Sequence, residues 1–314
     1  MGARYKNFQF MESVSPNNTS PLAGIMPVNL SAMADAGGVV AGGAAGRRVV
    51  IYVGADPKRD PSMFYLNLLW ALMAQGQARG WEMVPMVELR PQSMTVLPPP
   101  ELARLAAQRP VDGIVGFMVF ESVTQWMDES GVPWTALLGG KRDNCVDLDY
   151  DGMIRTGLAR LAELGCKTAG LIIPAMHTGA KRLEWIDAEA ERLGLTINYE
   201  WILATRESQE LSGYTDMSAL WALKHRPEGL LVFPDRTARG VVSAILEKQI
   251  RVPEDLKLIL HRNAESPYMV PMPCDWMEVR VGEIAKTLLD GLEGEWAGVS
   301  QKRRSYPLRL IKGS

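Results

Sequence analysis

Residues 230–259 read LLVFPDRTARGVVSAILEKQIRVPEDLKLI. Leu230 to Phe233 is an unbroken apolar run without alternating polarity, the pattern of a strand covered on both faces. Pro234-Asp235 breaks it, and an acidic residue just ahead of a helix-like run at 237–249 is a helix-start signal. Val252-Pro253-Glu254-Asp255 then turns the chain into a second apolar strand at 256–260. Strand, helix and strand joined this tightly predict parallel pairing in an α/β fold.

The same alternation extends outward in both directions. Upstream, strands are expected at 48–53, 81–87, 113–119, 133–138, 168–173, 196–202 and 229–233. Helices are expected between them at 62–79, 100–108, 122–129, 151–164, 180–193 and 211–225, with Gly80, Gly165 and Gly194 placed where helices stop. So many units exceed one mononucleotide-type fold, so the pattern predicts two α/β lobes. Residues 1–46 differ: they are rich in Gly, Ala, Ser, Asn and Pro and hold no lasting period, and they read as a flexible leader or linker. Within them Leu22–Ala34 has the apolar character of an export signal, but Pro27 and Asn29 interrupt it. No stretch approaches the ~20 apolar residues that span a bilayer, so no membrane partner is expected.

Composition narrows function. The 314 residues are 47% apolar with a net charge of −2, enough for a large core and too little positive charge for a nucleic-acid binder. Cys145, Cys166 and Cys274 are odd in number and far apart, which fits neither a disulfide framework nor a zinc site and points to a reducing cytoplasm. The phosphate-binding, zinc-protease and serine-hydrolase signatures are absent; AGGAAG at 41–46 precedes the first strand instead of following it. His177, His225 and His261 stand apart and read as surface or packing histidines. No enzyme activity and no cofactor is expected.

VDGIVGFMV (111–119), LDYDGMIRTGLARLAELGCKTAGLI (148–172), the 230–259 stretch and PLRLIKGS (307–314) resemble, in order, landmarks of the effector domain of the lactose-repressor (LacI/GalR) family. The resemblance runs from about Arg47 to the C-terminus. It implies a two-lobed periplasmic-binding-protein-like fold, each lobe a parallel sheet flanked by helices, with three crossovers and a ligand between the lobes. Lobe one would comprise 47–165 plus 276–305, and lobe two 166–275 plus 306–314. The implied function is sensing of a small molecule, a sugar or sugar derivative, by a cytoplasmic homodimer. The helix at 62–79 would supply the dimer contact through Leu68, Trp70, Leu72 and Met73. DNA would be reached only through a helix-turn-helix, and residues 1–46 do not read as one. An exported solute-binding protein and a Rossmann-like enzyme are the alternatives.

Site residues follow by resemblance. Phe64 and Tyr65 would present aromatic surface to the ligand or pack in the core. Asp151 and Asp235 would touch ligand or cap their helices, and Arg182 would grip hydroxyls or a carboxylate. Where the family has an acidic pair after the VPED strand, this chain has His261-Arg262-Asn263. Arg262 there would favour an anionic ligand or serve structure, and Asn263 would reach the cleft. Trp276, on the third crossover, would stack on a ligand or pack the hinge. The family's aromatic in the loop aligned with 204–208 is missing.

Overall fold

The computed structural model describes residues 46–54, 63–88, 100, 102, 104–105, 109–138, 142–205, 209–299 and 301–313. The expectations for the leader and export signal, for Ser62 and for 206–208 fall outside them. The described residues from Gly46 onward form one compact unit.

The first sheet contains β1 (Arg48–Val53), β2 (Glu82–Val87), β3 (Gly113–Phe117), β4 (Trp134–Leu137), β5 (Cys145–Leu148) and β11 (Arg304–Tyr306), in the order β11-β5-β4-β3-β1-β2, all parallel. The second contains β6 (Ala169–Pro174), β7 (Ile202–Thr205), β8 (Gly229–Val232), β9 (Lys257–Asn263), β10 (Asp275–Val279) and β12 (Arg309–Ile311), in the order β12-β10-β9-β8-β6-β7. Only the edge strand β12 runs antiparallel to its neighbour. Every residue of β1, β3, β4 and β8 is buried, which is why these strands read as apolar runs without alternation.

Among the described residues seven α-helices have defined bounds: α1 (Met63–Ala78), α2 (Glu121–Ser130), α3 (Tyr150–Glu163), α4 (Ala180–Arg192), α5 (Glu210–Ala222), α6 (Asp235–Glu247) and α7 (Val281–Trp296). Gly80, Gly165 and Gly194 have φ of 77°, 83° and 70°, the left-handed stop that their positions predict. One strand is misplaced by the sequence pattern. Instead of 196–202, Thr196 makes a single bridge to Thr168, Tyr199–Trp201 forms a 3-10 turn capped by Asn198, and β7 begins at Ile202.

The chain crosses between sheets three times: from β5 into α3, from β10 into α7, and from β11 to β12. These points differ from the expected lobe limits. Helix α3 lies on the second sheet, with Gly157 against Leu231, and β10 pairs with β9, so the first crossing falls before Tyr150 and the second after Val279. Physically, α3 spends its apolar face on the sheet it leads into. The crossings are tied together. The Asp149 amide donates to the Tyr306 carbonyl at 2.8 Å, and Glu283 accepts from the Tyr306 hydroxyl and from Arg309 at 2.8 Å each.

The expected open apolar face on α1 is smaller than its sequence suggests. Leu68 and Leu72 are fully buried, because α7 is held alongside α1 by Gln75 donating to the Gly282 carbonyl and by Arg79 paired with Asp290 at 2.6 Å. Met63 and Trp70, two turns apart on α1, stay exposed.

Candidate ligand-binding cleft

Parallel strands place all their carboxyl ends on one side, and loops there are free to carry chemistry because the ladder is already complete. Here the strand ends of both sheets border one cleft of about 610 Å³, within the roughly 300–1,000 Å³ usual for small-molecule sites. The first sheet contributes Phe64 and Tyr65 from α1, Met118, Val119 and Phe120 after β3, Leu138 after β4, Asp147 and Leu148 at the end of β5, and Arg303, while Tyr150, at the start of α3, stands on the side of the second. The second contributes Pro174, Met176 and His177 after β6, Phe233 to Arg236 after β8, and His261 and Asn263 on β9.

Two of these residues carry backbone strain. Met118 and Leu138, at the ends of adjacent strands, have φ of 55° and 57°. Left-handed backbone is costly for bulky side chains, of order 1–3 kcal/mol each, and persists where the surroundings impose it, commonly at binding sites.

The two walls differ in chemistry. On the first, Tyr65 stacks on Phe117 with centroids 5.8 Å apart and meets Phe64 edge-on at 5.1 Å. Arg303 is neutralised by Asp147, its ion-pair partner. On the second, a row of rings runs from His177 to Tyr150 (4.2 Å), to Phe233 (5.1 Å) and to His261 (4.6 Å). Burial pushes His261 down to about 3 and lowers His177 as well, so both are neutral imidazoles. Neither ring nitrogen of His261, nor Nε2 of His177, meets a hydrogen-bond partner among the described residues. Burial also raises the Asp235 carboxyl, against the opposing pull of Arg239, Arg236 and its own backbone amides. The Asn263 amide nitrogen donates to Asp235 Oδ2 at 3.0 Å, while Asn263 Oδ1 is buried without a partner. Burial, then Asp147, pushes the Tyr150 phenol up to about 12.

Of the residues singled out from sequence, Phe64, Tyr65, Asp235 and Asn263 border this cleft together. Four do not. Arg182 forms an ion pair with Asp151 at a neighbouring surface depression and lies 5.8 Å over the Trp185 ring. Asp151 is not the helix cap either; Asp149 is, accepting from the Gly152 amide at 2.9 Å. Arg262 points to the opposite face of β9 from His261 and Asn263, as strand alternation requires. It is bound there to Glu278 at 2.7 Å and stacked 4.7 Å over Trp276. Trp276 therefore flanks the second sheet, packed with Tyr268 at 5.4 Å, and is not at a crossing. With Arg262 occupied elsewhere, the ground for expecting an anionic ligand is gone.

His177, His261 and Tyr150 are among the cleft residues that sequence reasoning passes over. Their signal was positional: each lies near the carboxyl end of a strand of a parallel sheet. Histidine spacing alone, read for metal ligation, hides it. Among the described residues no group of three His, Cys, Asp or Glu is placed to hold a metal ion, and no helix is long and apolar enough to cross a membrane. Cys145, Cys166 and Cys274 are unpaired.

Comparison with known proteins agrees with this architecture. Residues 158–314 match the family model described as periplasmic binding protein-like domain. The HTH-type transcriptional repressor PurR of Haemophilus influenzae (strain PittEE) is 28% identical over 213 residues, covering 64% of this chain and 62% of the relative. PurR of Serratia proteamaculans (strain 568) is 29% identical over 199 residues, 59% of this chain and 58% of the relative. The chain thus spans about three-fifths of the length of these curated relatives. Among solved structures, a putative LacI transcriptional regulator from Bacillus cereus subsp. cytotoxis NVH 391-98 superposes with a TM-score of 0.67 at 19% identity, covering 86% of this chain and 98% of that one. A complex of the transcriptional regulator CelR with cellobiose gives 0.67 at 20% identity, covering 86% and 85%. The chain belongs to the periplasmic binding protein-like domain family, and its relatives and structural neighbours are LacI-type transcriptional regulators.

Proposed function

We propose that this chain is the effector-sensing domain of a transcriptional regulator, holding a small polar molecule in the cleft and transmitting its presence through lobe closure. The observation that carries the reading is that strand ends of both sheets border one cleft, with strained backbone at Met118 and Leu138. A ligand touching both walls favours the closed arrangement by its differential contacts, and nothing else shifts such an equilibrium. Sugars belong in the first tests, since the neighbour CelR is a cellobiose complex. A homodimer in the cytoplasm is part of the same reading: Met63 and Trp70 leave an apolar stripe on α1, and the free cysteines suit a reducing compartment. DNA would be engaged through a separate part of the regulator.

Titration calorimetry with cellobiose and a panel of small metabolites tests the reading when repeated on one variant from each wall, Phe120→Ala and His177→Ala. Both should weaken binding, by about tenfold each. A ligand whose affinity ignores one wall would be bound by a single lobe, and the sensing mechanism would fail.

A further inference from the structure

We infer that the ligand of this cleft is an uncharged aromatic ring whose one edge carries hydrogen-bond donors together with an acceptor. The inference rests on the sensing reading above and narrows its ligand class. The first wall offers an apolar surface lined by Phe64, Tyr65, Phe120 and Leu138. The second offers the polar atoms that await a partner. Asn263 has committed its amide nitrogen to Asp235, so what it presents is an acceptor, Oδ1. Neutral His261, with neither ring nitrogen bonded among the described residues, offers one acceptor and one N–H donor beside it, and His177 adds its unpartnered Nε2. A buried donor or acceptor left unmade is costly, so a matching ligand brings to that edge a donor for Asn263 and both a donor and an acceptor for His261.

Charge excludes an anion. Arg303 is paired with Asp147, the charge of Arg236 acts on the adjacent Asp235 carboxyl, and Arg262 is bound to Glu278 on the far side of the sheet. A hexose fits poorly for a different reason. It carries hydroxyls around its whole rim, and those turned toward Phe64, Phe120 and Leu138 would lose water without gaining a partner. A flat ring stacks on that wall and turns its donors to the other.

Thermal melts with 4-hydroxybenzyl alcohol and 2-aminopyrimidine as ring donors, pyridine as a ring without donors, glucose and cellobiose as sugars, and gluconate as an anion test this. Both ring donors should raise the melting temperature and bind about tenfold more weakly to Tyr65→Ala and to His261→Phe. Pyridine should give a smaller shift, and the sugars and gluconate none. Two variants on opposite walls keep the test decisive where one folds poorly. A shift from glucose, cellobiose or gluconate that matches or exceeds that of the ring donors overturns the ligand class and leaves the sensing reading standing. Equal shifts from pyridine and the ring donors overturn the donor edge. No shift from any compound overturns both.

Discussion

His261 sits against Phe233 at the end of β9 with both ring nitrogens buried and unbonded, so folding takes a neutral imidazole out of water. The sign of its pH dependence follows. The unfolded chain takes up a proton near 6.5, the folded one only near 3, so stability is full above about 6.5 and is lost as pH falls through that window. Each proton taken up only on unfolding contributes up to about 1.4 kcal/mol per pH unit. Urea melts at pH 7, 6 and 5 should show wild type weakening, and His261→Phe weakening less; equal slopes would show that His261 is not desolvated in the native state. At this scale the sequence was half legible. The resemblance named Phe64, Tyr65, Asp235 and Asn263, and each borders the cleft. For Arg182 and Arg262, one-dimensional spacing does not reveal which carboxylate pairs with an arginine.

Helices α5 and α6 cross backbone to backbone. A Cβ on Gly240 would lie 1.8 Å from the Glu210 carbonyl oxygen, and one on Gly213 2.0 Å from the Thr237 oxygen. Backbone cannot retreat as a flexible side chain can, so the helices would have to separate. Gly240→Ala should cost at least about 2 kcal/mol and lower the melting temperature by about 5 °C, although alanine is the better helix former. A variant as stable as wild type would mean that the crossing is looser. Most elements were legible from buried-strand runs and glycine stops, because parallel strands covered on both faces have no polar alternation to confuse them. Strand β7 was not, since Ile202 to Ala204 are partly or fully exposed and Asn198 diverts the chain into a turn first. The embedding of Leu68 and Leu72 was equally hidden, because α7 covers them from more than 200 residues away.

Over the whole molecule, the two sheets are joined where Asp149, Glu283, Tyr306 and Arg309 knit three crossings into one narrow region. Few bonds need to change there for the lobes to move, while each sheet stays intact, which is the geometry of a hinge. That two α/β lobes exist was legible from the number of repeated units. Where each begins was not, because α3 and β10 choose their sheet by packing that no local pattern records. Small-angle scattering on the intact protein reads both the assembly and the motion. Forward scattering should give twice the chain mass of 34.7 kDa. The radius of gyration should then fall as the compound that binds most tightly in calorimetry approaches saturation, and should stay at its unliganded value for Phe120→Ala and His177→Ala at the same concentration. An unchanged radius at verified saturation of the wild-type protein would contradict closure of the cleft around its ligand.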